Sequence, residues 1–268
     1  MIILIDSGNS RIKLGWLDLQ DVPHQRETAA TAFDKGELAA LDDWIAALPL
    51  RPRLALGVNV AGEPQAKALS TLFQQHRCKV HWIRAQAETL GLINCYKKPE
   101  QLGADRWISL LGILGHLPAQ HPPFMLASFG TATTVDTVGP DNVFAGGLIL
   151  PGPTMMRRSL AAGTATLPLA KGLPVAYPTD TLAAIASGIA AAQAGALSRQ
   201  WLAGWRLYGE APTLYVTGGD WFDIAVESQR LLTEIGTAIG LEAMPFYLDN
   251  PVLDGLALLA ANYQRPPS

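Results

Sequence analysis

Asp6, Ser7, Gly8, Asn9, Ser10 and Lys13 crowd into one polar loop directly after the apolar run Ile2-Ile3-Leu4-Ile5. A run of that kind is the pattern of a strand buried on both faces. Ile12, Leu14, Trp16 and Leu17 resume a strand pattern, so the stretch reads as a β-hairpin whose tight turn contains Ser7-Gly8-Asn9. Gly and Asn at such a turn adopt positive φ and leave backbone N–H groups outward, where phosphate oxygens bind. Ser10 adds a hydroxyl, Lys13 a point charge, and Asp6 a carboxylate at a strand end, a fit for hydrated Mg²⁺. The same residues equally make an ordinary polar hairpin, and this stretch alone does not choose.

The other chemistry-bearing stretches lie further along. Gly103-Ala104-Asp105-Arg106 opens a helix whose apolar face holds Trp107, Leu110, Leu111 and Leu114. An acid there is stabilised by the macrodipole, which predicts a lowered pKa for Asp105. Phe124-Met125-Leu126-Ala127 is a further buried strand, followed by Ser128-Phe129-Gly130-Thr131-Ala132-Thr133-Thr134. This repeats the opening layout, with Asp6 against Ser128, Gly8 against Gly130 and Asn9 against Thr131. Two phosphate-type hairpins, each opening an α/β half, suggest two like domains facing a cleft. Thr217-Gly218-Gly219-Asp220 ends a strand in a turn where backbone can approach a flat ligand, and Thr181 reads as a helix cap.

The elements between these stretches alternate. Helical spacing at Leu38, Leu41, Trp44, Ile45 and Leu48 follows a polar, loop-like stretch from Gln20 to Thr31. A strand over residues 54–60, a helix to Gln75 and a strand over 80–83 come next, an α/β pattern. The chain of 268 residues suits one large or two smaller domains, divided here as 1–117 and 118–268. A net charge of -3 gives no electrostatic case for nucleic acid or an anionic membrane. Cys78 and Cys95 form no disulfide framework, and the five histidines no zinc pattern. Leu182 to Ser198 is uncharged but rich in Ala and Gly, too weakly apolar for a membrane span and better read as a close-packed helix. A soluble cytoplasmic protein is the expectation.

Taken together the motifs resemble the type III pantothenate kinases of the acetate and sugar kinase, actin-like superfamily. The carrying residues are Asp6-Ser-Gly-Asn-Ser-Arg-Ile-Lys13, Asn94-Cys-Tyr96-Lys-Lys-Pro99, Leu102-Gly-Ala-Asp105-Arg106 and Gly130-Thr-Ala-Thr-Thr134. Gly146-Gly147, Pro151-Gly152, Asp180-Thr181 and Thr217-Gly-Gly219 continue the series in order along nearly the whole chain. The resemblance implies two ribonuclease-H-like domains flanking a nucleotide cleft, a homodimer, and ATP-dependent phosphorylation of pantothenate to 4'-phosphopantothenate. It implies ATP contacts at Asp6, Ser7, Gly8, Asn9, Ser10, Arg11, Ile12 and Lys13 and at Gly130 and Thr131, with Asp6 as the Mg²⁺ ligand. It implies a pantothenate pocket of Tyr96, Gly103, Ala104, Asp105, Arg106 and Thr181, with Asp105 as the base. The partner subunit would help close that pocket, through an interface assigned to residues 152–167. The family usually carries an aspartate, which binds a monovalent cation, where this chain has Ser128. Serine predicts a shallow dependence on K⁺ or NH₄⁺. The competing expectation is a nucleotide-binding accessory factor for transcription that keeps the kinase fold; the intact Asp105-Arg106 and Asp6/Lys13 sets argue against it.

Overall fold

The computed structural model describes residues 1–18, 26 and 30–263. Two compact units emerge: Met1–Pro118 together with Asn250 and the helix after it, and Ala119–Asp249.

The first unit begins with β1 (Ile2–Ser7) and β2 (Arg11–Leu17), an antiparallel hairpin extended by the antiparallel β3 (Thr31–Asp34). Helix α1 (Leu38–Ala46), β4 (Leu54–Asn59), α2 (Glu63–Gln75) and β5 (Lys79–Trp82) follow. β4 runs parallel to β1 and β5 parallel to β4, giving the order β3-β2-β1-β4-β5. β1 is central because all four of its apolar residues are buried. Ile3 and Ile5 pack with Leu41, Ile45, Leu69 and Phe73 of the two helices, while Ile2 and Leu4 take the opposite face of the pleat. A short hairpin, β6 (Glu88–Thr89) and β7 (Leu92–Asn94), then leads to α3 (Ala104–Leu114).

The second unit repeats this plan. β8 (Phe124–Phe129), β9 (Ala132–Val138) and β10 (Val143–Pro151) form an antiparallel meander. α4 (Pro153–Gly163) and α5 (Thr181–Tyr208) precede β11 (Thr213–Thr217), α6 (Trp221–Ile239) and β12 (Pro245–Tyr247). β11 is parallel to β8 and β12 parallel to β11, so the order β10-β9-β8-β11-β12 matches the first sheet strand for strand. The short repeat noticed in the sequence is therefore a repeat of topology, with β1 and β8 in equivalent central positions.

Three expectations change. The C-terminal segment does not belong with residues 118–249: α7 (Pro251–Tyr263) lies in the first unit, against α3 and β1. Its partner surface is built of glycine. A Cβ on Gly255 would stand 2.0 Å from the Ile108 carbonyl oxygen, and one on Gly112 would stand 2.4 Å from that of Pro251. Most of the polar stretch Gln20 to Thr31 lies outside the described residues, and at its end Thr31 opens β3. Finally, α5 is long and apolar enough to cross a membrane by length and composition, not too weakly apolar for it. Its fully buried Gln193 nonetheless donates from Nε2 to the Pro151 carbonyl at 2.8 Å, as a core helix of the second unit.

Candidate active site

β1 and β4 are parallel, so both deliver their C-terminal residues to one sheet edge. There the hairpin register sets Asp6 opposite Lys13. The turn is Gly8-Asn9-Ser10, closed by the Gly8 N–H donating to the Arg11 carbonyl at 3.0 Å. Neither Gly8 nor Asn9 has positive φ, contrary to the left-handed turn read from the sequence. Glycine serves closeness instead, since a Cβ on Gly8 would come within 3.2 Å of the Arg11 oxygen. Ser7 is also turned to a different task. Its buried hydroxyl donates to Asn59 Oδ1 at 2.9 Å, and Asn59 Nδ2 donates to the Gly62 carbonyl at 2.9 Å, fastening β1 to the β4–α2 turn. Arg11 pairs on the surface with Asp34 at 3.4 Å, and Ile12 is core. Asp6, Gly8, Asn9, Ser10 and Lys13 are the members of this motif left at the edge.

Asp105 occupies the first turn of α3, where Gly103 is the N-cap and offers no side chain. The reason for glycine is steric: a Cβ there would stand 2.7 Å from Asp105 Oδ1. That oxygen accepts the Arg106 N–H at 2.8 Å. Burial pushes the Asp105 carboxyl above its ordinary value, and the Arg106 N–H and guanidinium pull it back incompletely. The lowered pKa expected from the helix start is thus overturned, because desolvation outweighs the charges and donors beside the group. Asp6 is pushed up to about 6, first by burial, with Lys13 lowering it and Asp105 raising it. The two acids therefore lie near enough to repel.

Arg106 is buried, and its Nη1 donates to the Tyr96 hydroxyl at 3.2 Å. Sequence reasoning missed the residue that holds Tyr96 there. Buried Asn94 accepts the Tyr96 N–H at 3.0 Å through Oδ1, while its Nδ2 donates to the carbonyls of Gln86 (3.1 Å) and Pro99 (3.3 Å). An asparagine two residues before the aromatic is an Asx-turn signal that the sequence carried. A cavity of about 850 Å³ borders Gly103 and Ala104, with Asn59, Val60, Lys67 and Arg84 among its walls.

In the second unit, Gly130 and Thr131 form the turn between β8 and β9, with the Gly130 N–H donating to the Ala132 carbonyl at 3.2 Å. Register puts Ser128 opposite Thr134, where the first unit has Asp6 opposite Lys13. A charged pair in one hairpin is answered by two neutral hydroxyls in the other. Thr181 is the exposed first residue of α5 and not its cap; Asp180 caps the helix by accepting the Ala183 N–H at 2.9 Å. Among the described residues no group of three or more His, Cys, Asp or Glu could hold a metal ion. Two acids that Lys13 and Arg106 offset only in part, set beside tight turns, suit the positioning of a phosphoryl group and its acceptor.

A family model for type III pantothenate kinases matches residues 2–203. Type III pantothenate kinase from Bordetella bronchiseptica is 58% identical over 262 residues, covering 98% of both chains. That from Bordetella pertussis is 59% identical, covering 97% of this chain and 98% of its own. Aromatoleum aromaticum supplies a relative of the same name at 40% identity over 97% of this chain and 98% of its own. Among solved structures, a Baf family protein from Campylobacter jejuni superposes with a TM-score of 0.53 at 16% identity, covering 97% of this chain and 98% of its own. A PilM–PilN complex of type IV pilus biogenesis gives 0.55 at 12% identity, covering 97% of this chain and 98% of that one. These last two are likenesses of fold.

Proposed function

We propose a residue-level account on one premise: the chain belongs to the type III pantothenate kinase family and phosphorylates pantothenate with ATP in coenzyme A biosynthesis. The observation that carries the account is the pair of mutually repelling acids, Asp6 and Asp105, with Lys13 across from the first.

Asp105 is the base. It aligns the primary hydroxyl of pantothenate and takes its proton as the new O–P bond forms and the bond from the γ-phosphorus to ADP breaks. A carboxyl pushed up by burial is a better proton acceptor than an ordinary aspartate. Because the transition state is loose, positioning and charge stabilisation carry most of the rate. Lys13 and the backbone of the Gly8–Ser10 turn hold the transferring phosphoryl, and the Gly130–Thr131 turn takes phosphate oxygens in the same manner.

Asp6 fits Mg²⁺: its carboxylate is raised by burial and by Asp105, and Lys13 compensates it incompletely. Mg²⁺, when bound, offsets the negative charge on the phosphates. Ser128 and Thr134 fit K⁺ or NH₄⁺ less well, since they offer neutral oxygens without a carboxylate.

Tyr96, Arg106, Gly103 and Ala104 form the acceptor pocket; Thr181, exposed at the start of α5, is assigned to pantothenate binding as well. Homodimerisation is supported by the uncovered apolar side chains of the second unit on α4, between α4 and α5, and at the start of α5: Met155, Leu169, Leu173, Val175, Tyr177 and Leu182. We assign the enzyme to the cytoplasm, where an exposed free thiol such as that of Cys95 persists.

The pocket assignment is tested by Arg106→Gln and Tyr96→Phe, with both Michaelis constants measured. Arg106→Gln raises KM for pantothenate about tenfold or more, the loss of a charge-assisted bond, and leaves KM for ATP within about twofold. A rise confined to KM for ATP would place these residues on the donor side and overturn the assignment.

A further inference from the structure

Two elements outside the account above grip the Gly130–Thr131 turn from behind. The Asp220 N–H donates to the Phe129 carbonyl at 3.2 Å, and a Cβ on Gly218 would stand 2.2 Å from that same oxygen. On the other side of the turn, the Gly152 N–H donates to the Thr131 carbonyl at 3.1 Å. A Cβ on Gly152 would stand 2.0 Å from the Gly130 oxygen and 2.8 Å from that of Thr131. The carbonyls of three successive residues therefore face protein. No peptide bond described here is cis, and in a trans peptide the N–H points opposite to its C=O. Packing the Gly130 carbonyl against Gly152 turns the Thr131 N–H away from Gly152.

One side chain joins the two grips. Asp220 Oδ2 accepts the Thr154 N–H at 3.2 Å, in the first turn of α4, directly after Gly152. The N-cap of α4 is Gly152 itself, which has no side chain to satisfy those amides. Asp220 thus fixes the start of the turn with its N–H and, through its carboxylate, the helix start that carries the residue fixing the end of it. Arg157 and Asp223 tie the same two helices together at 2.6 Å.

We propose that Asp220 is a positioning residue for the phosphate donor, acting through α4 and Gly152 on the orientation of the Thr131 amide in the Gly130–Thr131 turn. The proposal rests on the reading that this turn takes ATP phosphates. The loss in Asp220→Ala is therefore specific to ATP: KM for ATP rises about tenfold, as for loss of a charge-assisted hydrogen bond, while KM for pantothenate stays within about twofold. Asp220→Asn keeps an oxygen that accepts the Thr154 N–H and restores most of the affinity, which a general need for negative charge would not allow.

The experiment is steady-state kinetics on wild type, Asp220→Ala and Asp220→Asn, with thermal melts of each. Amide hydrogen exchange of the wild-type turn is followed with and without ATP. Slowed exchange at the turn on adding ATP, the ATP-specific loss and the rescue by asparagine support the proposal. Slowed exchange with an unchanged KM for ATP in Asp220→Ala overturns the positioning role alone. Equal rises in both Michaelis constants, accompanied by a lower melting temperature, overturn it as a general structural defect. Turn amides indifferent to ATP overturn the phosphate reading and the proposal with it.

Discussion

At the scale of single residues, the defining feature is that two acids are held where neither is comfortable. Asp6 titrates near 6 in the free fold, against an ordinary value near 3.8. An acid whose folded pKa is raised binds its proton more tightly folded than unfolded. The contribution of Asp6 to stability is therefore greatest below about pH 4, and it falls as pH climbs from there to about 6. Above that window the ionised Asp6 burdens the ligand-free fold by up to about 3 kcal/mol. Asp6→Asn removes the burden: the ligand-free variant melts above wild type at pH 8, the two converge near pH 4, and kinase activity collapses in the variant. Scanning calorimetry across pH reads this directly, and a variant melting below wild type at pH 8 would contradict the burial of charge argued here. Asp105 shows why such a result is hard to foresee from sequence. Its place at a helix start was legible, and that placement argues for a lowered pKa. The burial that reverses the sign is a property of the folded chain and not of the helix start alone.

At the scale of elements, the two hairpins and their strands were legible because buried runs such as Ile2 to Ile5 and Phe124 to Ala127 are bounded by unmistakable polar turns. Gly103 and Asp105 were legible as neighbours, though not the 2.7 Å contact that makes glycine necessary between them. Asn94 and Ser7 were visible as motif members; the turn that ties Asn94 to Tyr96 is local, whereas Ser7 bonds Asn59, a partner 52 residues on with no local signature. α7 was misplaced for the same reason, since an apolar stretch around Gly255 reveals burial without revealing against what. The glycine seam that fixes it yields a strong expectation. Gly255→Ala forces a methyl into the Ile108 carbonyl, where backbone must shift, and destabilises the protein by about 3 kcal/mol or more. Gly163→Ala, with open space around it, changes stability by less than about 1 kcal/mol. Urea unfolding of the two variants compares them, and equal midpoints would show that α3 and α7 do not pack as closely as described.

At the scale of the whole molecule, one topology appears twice with different chemistry at the equivalent turns. The first copy keeps a charged pair, Asp6 and Lys13, and the second keeps hydroxyls, Ser128 and Thr134. The same scale holds the proposal of a homodimer. Leu173 and Tyr177 stand 82% and 92% exposed, an unusual cost for a chain that remains alone in water. Leu173→Glu shifts the protein to monomer by analytical ultracentrifugation and raises KM for pantothenate. A fully active monomer at nanomolar concentration would remove the partner subunit from the acceptor pocket.

The central claim is that Asp105 takes the proton in a pantothenate-dependent transfer. The most direct measurement is ADP release with ATP, Mg²⁺ and K⁺, with and without pantothenate, for wild type and Asp105→Asn. The account predicts turnover that requires pantothenate and falls by about 10²-fold or more in the variant, with ATP binding retained. It also predicts, in wild type, a low-pH limb of the rate above the ordinary aspartate range, near 4, because burial has raised that carboxyl. An Asp105→Asn enzyme that turns over pantothenate at the wild-type rate would contradict it.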